Sequence, residues 1–180
     1  MEQKTRDLLN QIIQNHGQDM QNNENRFLIG IFGTPGSGKT TVSHLMKQLL
    51  CNDFSINCQI VPMDGFHYYR KELDQMQDPA HAHARRGAPF TFNDQAFAKL
   101  LNRIKHEKEQ VTAPSFDHGV GDPIEDDIII EPSHRVVIVE GNYLATWKDV
   151  TPLFDILIYI YTEKKEEVCL LLKFGNIEQH

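Results

Sequence analysis

The stretch that decides the fold is IFGTPGSGKTT, residues 31–41. Within it, Gly33, Thr34, Pro35, Gly36, Ser37, Gly38, Lys39 and Thr40 fit the pattern G-x-x-x-x-G-K-[ST] in full, and Thr41 follows. Glycines at these positions let the backbone curl so that successive N–H groups point inward and form an anion nest. A helix starting at the lysine adds its positive N-terminal end to the same spot. Lys39 then supplies a point charge for the β- and γ-phosphates of a nucleotide, and the Thr40 hydroxyl supplies an oxygen ligand for Mg2+. A Gly-rich turn that merely joins a strand to a helix is the competing reading, and the flanks decide against it. RFLIGIF, 26–32, is a compact apolar run of the kind that forms a strand buried on both faces. After the loop, Val42, Leu45, Met46, Leu49 and Leu50 recur at helical spacing.

Outward from this strand–loop–helix unit, the chain alternates. Residues 5–16 carry Leu8, Leu9, Ile12 and Ile13 on one helical face, and 18–26 is a polar linker. An N-terminal helix and linker over 1–25, followed by a C-terminally incomplete phosphate-loop domain over 26–180, is the expected organisation. INCQIVPMD, 56–64, reads as a second strand ending at an acid; RVVIVEG, 135–141, and DILIYIY, 155–161, read as a third and fourth. Asn93 is placed to cap a helix whose face is Phe97, Leu100, Leu101 and Ile104. Strands alternating with helices predict an α/β fold, a mainly parallel sheet flanked by helices. The segment from Phe66 to Phe92 lacks periodicity, and a loop of that length in a small domain points to function.

Composition narrows the partners. With 40% hydrophobic and 24% charged residues, the chain of 180 residues has the balance of one globular domain. A net charge of −7 and no Lys/Arg cluster argue against nucleic acid or an acidic membrane surface. Cys51, Cys58 and Cys169 form neither a disulfide framework nor a CxxC motif, and the N-terminus has no signal-peptide character, so a cytoplasmic setting is expected.

In an open parallel sheet the ligand crevice lies beyond the carboxyl ends of the strands. Asp64 and Glu140 each close a predicted strand there. Phosphoryl transfer to a hydroxyl needs a proton acceptor and an oxygen ligand for the metal. Asp64 suits the first task and Glu140 the second. His81-x-His83 lacks partners at metal-ligand spacing and reads as a solvated loop, while Tyr143 and Trp147 read as core or rim.

The blocks GTPGSGKTT, MDGFHYY, RRGAPFTFN, PSFDHGVGDP and VIVEGNYL occur in an order that resembles the phosphoribulokinase/uridine kinase/pantothenate kinase family of P-loop kinases, in particular its pantothenate kinase-like branch. The resemblance covers roughly residues 26–162. It implies ATP and Mg2+ as cofactors, Asp64 as general base with Lys39 beside it in catalysis, and Glu140 with Thr40 at the metal. It also implies an acceptor pocket lined by His67, Tyr68, Arg85, Arg86, Phe116, Asp117 and His118, and a small metabolite as the hydroxyl substrate.

The chain departs from that resemblance after the fourth strand, where the family continues into a lid helix bearing arginines and a further strand. Here YTEKKEEVCLLLKFGNIEQH follows, with Lys164, Lys165 and Lys173 but no arginine after Arg135. Lysine does not reproduce the planar fork with which arginine clamps a transferring phosphoryl group. The expectation is therefore a missing C-terminal strand and lid. It follows that Val168, Leu171 and Leu172 lie on a short tail helix and that 155–161 is an edge strand prone to homodimer formation or self-association. Two readings follow: an ATP-dependent small-molecule kinase, or a nucleotide-binding module or truncated isoform with little turnover. A GTPase is disfavoured, since no NKxD guanine-reading motif is present.

Overall fold

The computed structural model describes residues 1–21, 24–162 and 168–174. The chain opens with α1 (Glu2–Gln21), longer than the expected 5–16, and enters β1 (Phe27–Gly33). The phosphate loop leads into α2 (Lys39–Asp53), and β2 (Cys58–Pro62) follows. The aperiodic segment 66–92 is not an open loop. It holds the short helices α3 (Arg70–Leu73) and α4 (Pro79–Ala84), bracketed by 3-10 turns at Met63–Phe66 and Pro89–Thr91. Next come α5 (Asp94–His106), β3 (Val111–Asp117), β4 (Asp122–Ile130), β5 (Val136–Gly141), β6 (Ile156–Thr162) and β7 (Val168–Phe174). As expected, Asn93 caps α5, its Oδ1 accepting from the Ala96 N–H at 2.9 Å.

The main sheet runs β2-β5-β1-β6-β7, and its first four strands are parallel. Alternate residues face opposite layers, as the period of two requires. Ile29, Ile31, Val136, Ile138, Ile156 and Ile158 pack against α1 and α2 through Leu9, Ile12, Val42 and Met46. Leu28, Val137, Val139 and Leu157 pack on the other side against Phe97, Leu101 and Ile104 of α5 and Val111 of β3. This is why the central strands read as unbroken apolar runs: every residue of β5 is buried. β3 and β4 form a separate antiparallel ribbon that the sequence reading did not anticipate.

The C-terminal expectation is corrected. Residues 168–174 form a strand, not a helix, and pair antiparallel with β6 from Ile156↔Phe174 to Thr162↔Val168. Residues 155–161 are accordingly no edge: β6 is hydrogen-bonded to β1 on one side and β7 on the other. An apolar parallel strand left with free N–H and C=O groups takes the next extended segment as its partner, and VCLLLKF supplies one. The side chains beyond Tyr161, and Lys164 and Lys165 altogether, lie outside the described residues.

Two buried polar ties join the layers. The Arg26 guanidinium donates to the carbonyls of Ile104 (2.9 Å), Glu107 (2.5 Å) and Glu109 (2.8 Å), closing the C-terminal end of α5. Asp155 accepts from the Leu28 N–H and pairs with Lys105, each at 2.8 Å. Among the described residues no helix is long and apolar enough to cross a membrane.

Because Leu9 and Ile12 are fully buried in the core shared with β1, α1 is part of the folding unit. Ile12→Ala is expected to lower the stability of the chain by about 2–5 kcal/mol. Urea unfolding checks this, and a loss below about 1 kcal/mol would make α1 peripheral.

Candidate functional site

The parallel strands deliver three groups to one end of the sheet. β1 ends at Gly33 and opens the phosphate loop; β2 ends at Pro62, two residues before Asp64; β5 carries Glu140 as its penultimate residue. Register brings them together, since Glu140 pairs with Ile31 on one side and with Pro62 on the other. Asp64 sits in the 3-10 turn that follows β2 rather than at the strand end.

The loop is open for an anion. Gly38, at φ +90°, is the N-cap of α2 and offers no side-chain cap, so the first N–H groups of the helix are left for a ligand. Lys39 Nζ folds over the loop and donates to the carbonyls of Thr34 (2.9 Å) and Gly33 (3.2 Å). Burial lowers its pKa, while the charges of Glu140 and Asp64 pull it back up. All three groups therefore share one electrostatic neighbourhood.

Glu140 is 9% exposed. Burial raises its pKa first and the nearby charge of Asp64 adds to the rise; a hydrogen bond from the Thr40 hydroxyl and the charges of Lys39 and His44 act the other way. Glu140 Oε2 is buried with no hydrogen-bond partner, as are Ser37 Oγ and Asn142 Oδ1. Buried acceptors without donors are rare in folded proteins and call for a missing ligand or ion. The donor set of Thr40 hydroxyl and Glu140 carboxylate suits Mg2+, a hard cation that fills its shell with water and phosphate oxygens. Among the described residues no group of three or more His, Cys, Asp or Glu forms a complete protein cage.

Next to the Asp64 turn lies an aromatic cluster. The His67 ring is sandwiched between Phe92 (3.9 Å between centroids) and Phe116 (4.5 Å). Its Nδ1–H donates to the Asp64 carbonyl at 2.8 Å, and its backbone N–H donates to the same oxygen at 3.2 Å. Burial lowers the His67 pKa, and the positive charges of Arg86 and His118 lower it further against the pull of Asp64. The neutral ring thus presents Nε2 as an acceptor. Arg86 lies over Phe116 at 5.5 Å and donates through Nη2 to the Tyr68 carbonyl and to Asp122.

Of the residues expected at this pocket, His67, Arg86, Phe116 and His118 converge. The others do not bring their side chains in. The Tyr68 carbonyl accepts from Arg86, while burial and the charges of Asp94 and Glu72 raise the pKa of its phenol. Arg85 is exposed at the end of α4. The Asp117 carboxylate accepts from the N–H groups of Gly119 and Val120 in its own turn. His81 stacks on Phe90 and His83 pairs with Asp74. Sequence reasoning missed Phe92, Asp122 and Asn142. All three lie inside the quoted blocks RRGAPFTFN, PSFDHGVGDP and VIVEGNYL and were available there; the contact of Asp122 with Arg86 and the Arg70 N–H appears only in the fold.

The chain matches the Phosphoribulokinase / Uridine kinase family over residues 28–175. A Schizosaccharomyces pombe protein provisionally named uridine kinase C227.14 is 41% identical over 155 residues, covering 83% of this chain and 66% of that protein. The crystal structure of a Silicibacter sp. TM1040 protein, provisionally named a fructose transport system kinase, superposes with a TM-score of 0.68 at 36% identity, over 75% of this chain and 65% of that one. YFH7 of Saccharomyces cerevisiae, a P-loop kinase with a circular permutation by its description, has a TM-score of 0.72 at 21% identity and shares the fold, over 83% and 77% of the two chains. The chain spans 66%, 59% and 52% of the lengths of three curated relatives it matches. It belongs to the phosphoribulokinase/uridine kinase family.

Glu140 gives a pH-dependent prediction. A carboxyl whose folded pKa lies above its unfolded value costs stability as it ionises, between the ordinary value of 4.5 and the raised one. Without ligand, Glu140→Gln is therefore expected to melt higher than wild type at pH 7, with the gap closing as the pH falls below 4.5. Thermal melts across pH check this; a gap independent of pH would show that the ionised carboxylate is not strained.

Proposed function

We propose that the chain is an ATP-dependent kinase that transfers the γ-phosphoryl group to a hydroxyl of a small metabolite with the help of Mg2+. The observation that carries this reading is the convergence of Lys39, Asp64 and Glu140, close enough that both carboxylates act on the lysine. The loop N–H groups and Lys39 would hold the β- and γ-phosphates. Mg2+ at Thr40 and Glu140 would neutralise charge on the phosphate oxygens. Asp64 is the proton acceptor: as the acceptor oxygen bonds to the γ-phosphorus and the bond to the β-phosphate oxygen breaks, the hydroxyl proton passes to its carboxylate. The two His67 hydrogen bonds to the Asp64 carbonyl fix the turn that aims this carboxylate. The net charge of −7 supports a small acceptor over a nucleic acid.

A second reading, nucleotide binding with little turnover, is favoured by the stretch that joins β6 to β7, residues 163–167, which carries Lys164 and Lys165 and no arginine. Phosphoryl-transfer sites that lose such a clamp lose about 10³–10⁵ in rate.

Calorimetry with Mg-ATP, joined to an ADP-release assay over nucleosides, sugars and hydroxy acids, separates the two. ATP binding with release on one acceptor supports the kinase; binding with no release on any supports the second reading; absence of binding overturns both. In an active protein, Asp64→Asn is expected to lower kcat by about 10²–10⁴ while ATP affinity stays within about twofold. Lys39→Ala is expected to abolish measurable ATP binding in the same calorimeter while leaving the fold intact.

A further inference from the structure

Arg86 stands apart from the other buried arginines of the fold. A guanidinium carries five N–H donors. Arg86 commits those of Nη2, to the Tyr68 carbonyl at 2.8 Å and to Asp122 Oδ1 at 3.2 Å. Nε and Nη1 are buried and have no hydrogen-bond partner. The Phe116 ring, 5.5 Å from Cζ, lies over the face of the guanidinium and leaves the in-plane N–H groups unanswered. The side chain is 16% exposed, so water does not compensate for the missing partners.

Two carboxylates stand near: Asp122, paired with Arg86 through Nη2, and Asp64, whose charge acts on His67. Arg86 acts as a cation on His67. Asp122 is held by Arg86 and by the Arg70 N–H at 2.8 Å, and Asp117 by its own turn. Asp64 and Glu140 lie toward the phosphate loop and act on Lys39.

We infer that Arg86 is the specificity residue of the acceptor pocket, and that the acceptor carries an anionic group, a carboxylate or a phosphate, besides the hydroxyl that receives the phosphoryl group. This rests on the kinase reading above. Entry of such a molecule parts His67 and Phe116 and gives the buried N–H groups of Arg86 an acceptor; a neutral nucleoside or sugar leaves them unanswered.

The pocket carries its own reporter. Trp147 is the single tryptophan, and its ring lies 5.9 Å from that of Phe92, which stacks on His67. Its fluorescence is followed, without nucleotide and at fixed ionic strength, during titration with two matched pairs: D-glycerate against glycerol, and fructose 6-phosphate against fructose. The anionic member of at least one pair is expected to bind at least about tenfold more tightly than its neutral partner, and which pair responds tells carboxylate from phosphate. A hydrogen-bonded charge contributes enough that Arg86→Met should weaken that binding about tenfold or more, with Arg86→Lys intermediate and the ATP affinity of both variants unchanged. Equal binding within both pairs, undiminished binding by Arg86→Met, or no binding of any of the four compounds overturns the proposal. Failure of wild type to bind Mg-ATP would overturn the kinase reading instead, whatever the titration gives.

Discussion

The site depends on how closely the backbone at the carboxyl end of β1 passes the neighbouring strand. A Cβ on Gly33 would lie 2.2 Å from the Ile160 carbonyl oxygen and 2.9 Å from Ser37 Oγ, so no side chain fits between β1 and β6 there. A second tight passage fixes the base: a Cβ on Gly65 would lie 2.2 Å from the Pro114 carbonyl, which presses the Asp64 turn onto β3. These are backbone-to-backbone contacts, which side-chain rotation cannot relieve. They set the spacing between the phosphate loop and the proposed proton acceptor before any ligand arrives, which is the preorganisation that phosphoryl transfer relies on.

The same end of the sheet is where the fold tolerates unfavourable electrostatics. Arg26, deep under α5, satisfies helix-end carbonyls with most of its donors. Glu140 instead holds one oxygen buried and unpartnered beside a second carboxylate, and Lys39 is desolvated over its own loop. Left alone these groups cost stability; brought against a phosphate and a cation they are already oriented and dry, so the interaction is strong. A core designed only for stability would replace them.

Much of this was legible from the residues. The loop 31–41, the apolar runs of β1, β5 and β6 and the Asn93 cap gave the parallel α/β sheet, because strands buried on both faces and capped helices leave local patterns. The β3–β4 ribbon did not, because Pro114 and Pro123 interrupt it and β4 is largely exposed, so no alternation of burial marks it. The tail was misread because Val168, Leu171 and Leu172 fit a helical face as well as a strand; a short apolar run cannot be assigned by periodicity, and the open side of β6 decided it. In the site, residue types in ordered blocks located His67, Arg86 and Phe116. What sequence cannot show is direction: Arg85 stands next to Arg86 in the chain, yet its guanidinium is exposed while that of Arg86 is partly buried.

The two halves of the site are built differently, and this bears on how its specificity is set. The nucleotide half is part of the main sheet, held by parallel pairing of β1 with β5 and β6. One wall of the acceptor half continues the core, through Phe66 on Phe97 at 4.8 Å and through Phe92 and Phe97 on Trp147 at 5.9 and 6.0 Å. Its opposite wall, with Phe116 and His118, belongs to a two-stranded ribbon outside the main sheet. The ribbon also backs the Asp64 turn, through Gly65 against the Pro114 carbonyl, while the pairing of β1 with β5 that aligns the phosphate loop with Glu140 lies outside it. Proteins named as a uridine kinase and as a fructose transport system kinase are both similar to this chain, so the fold by itself does not fix the acceptor. If the proposed phosphoryl transfer holds, its acceptor is to be sought in the contacts of Arg86 and Phe116 rather than in the phosphate loop, which cannot discriminate among hydroxyls it never touches.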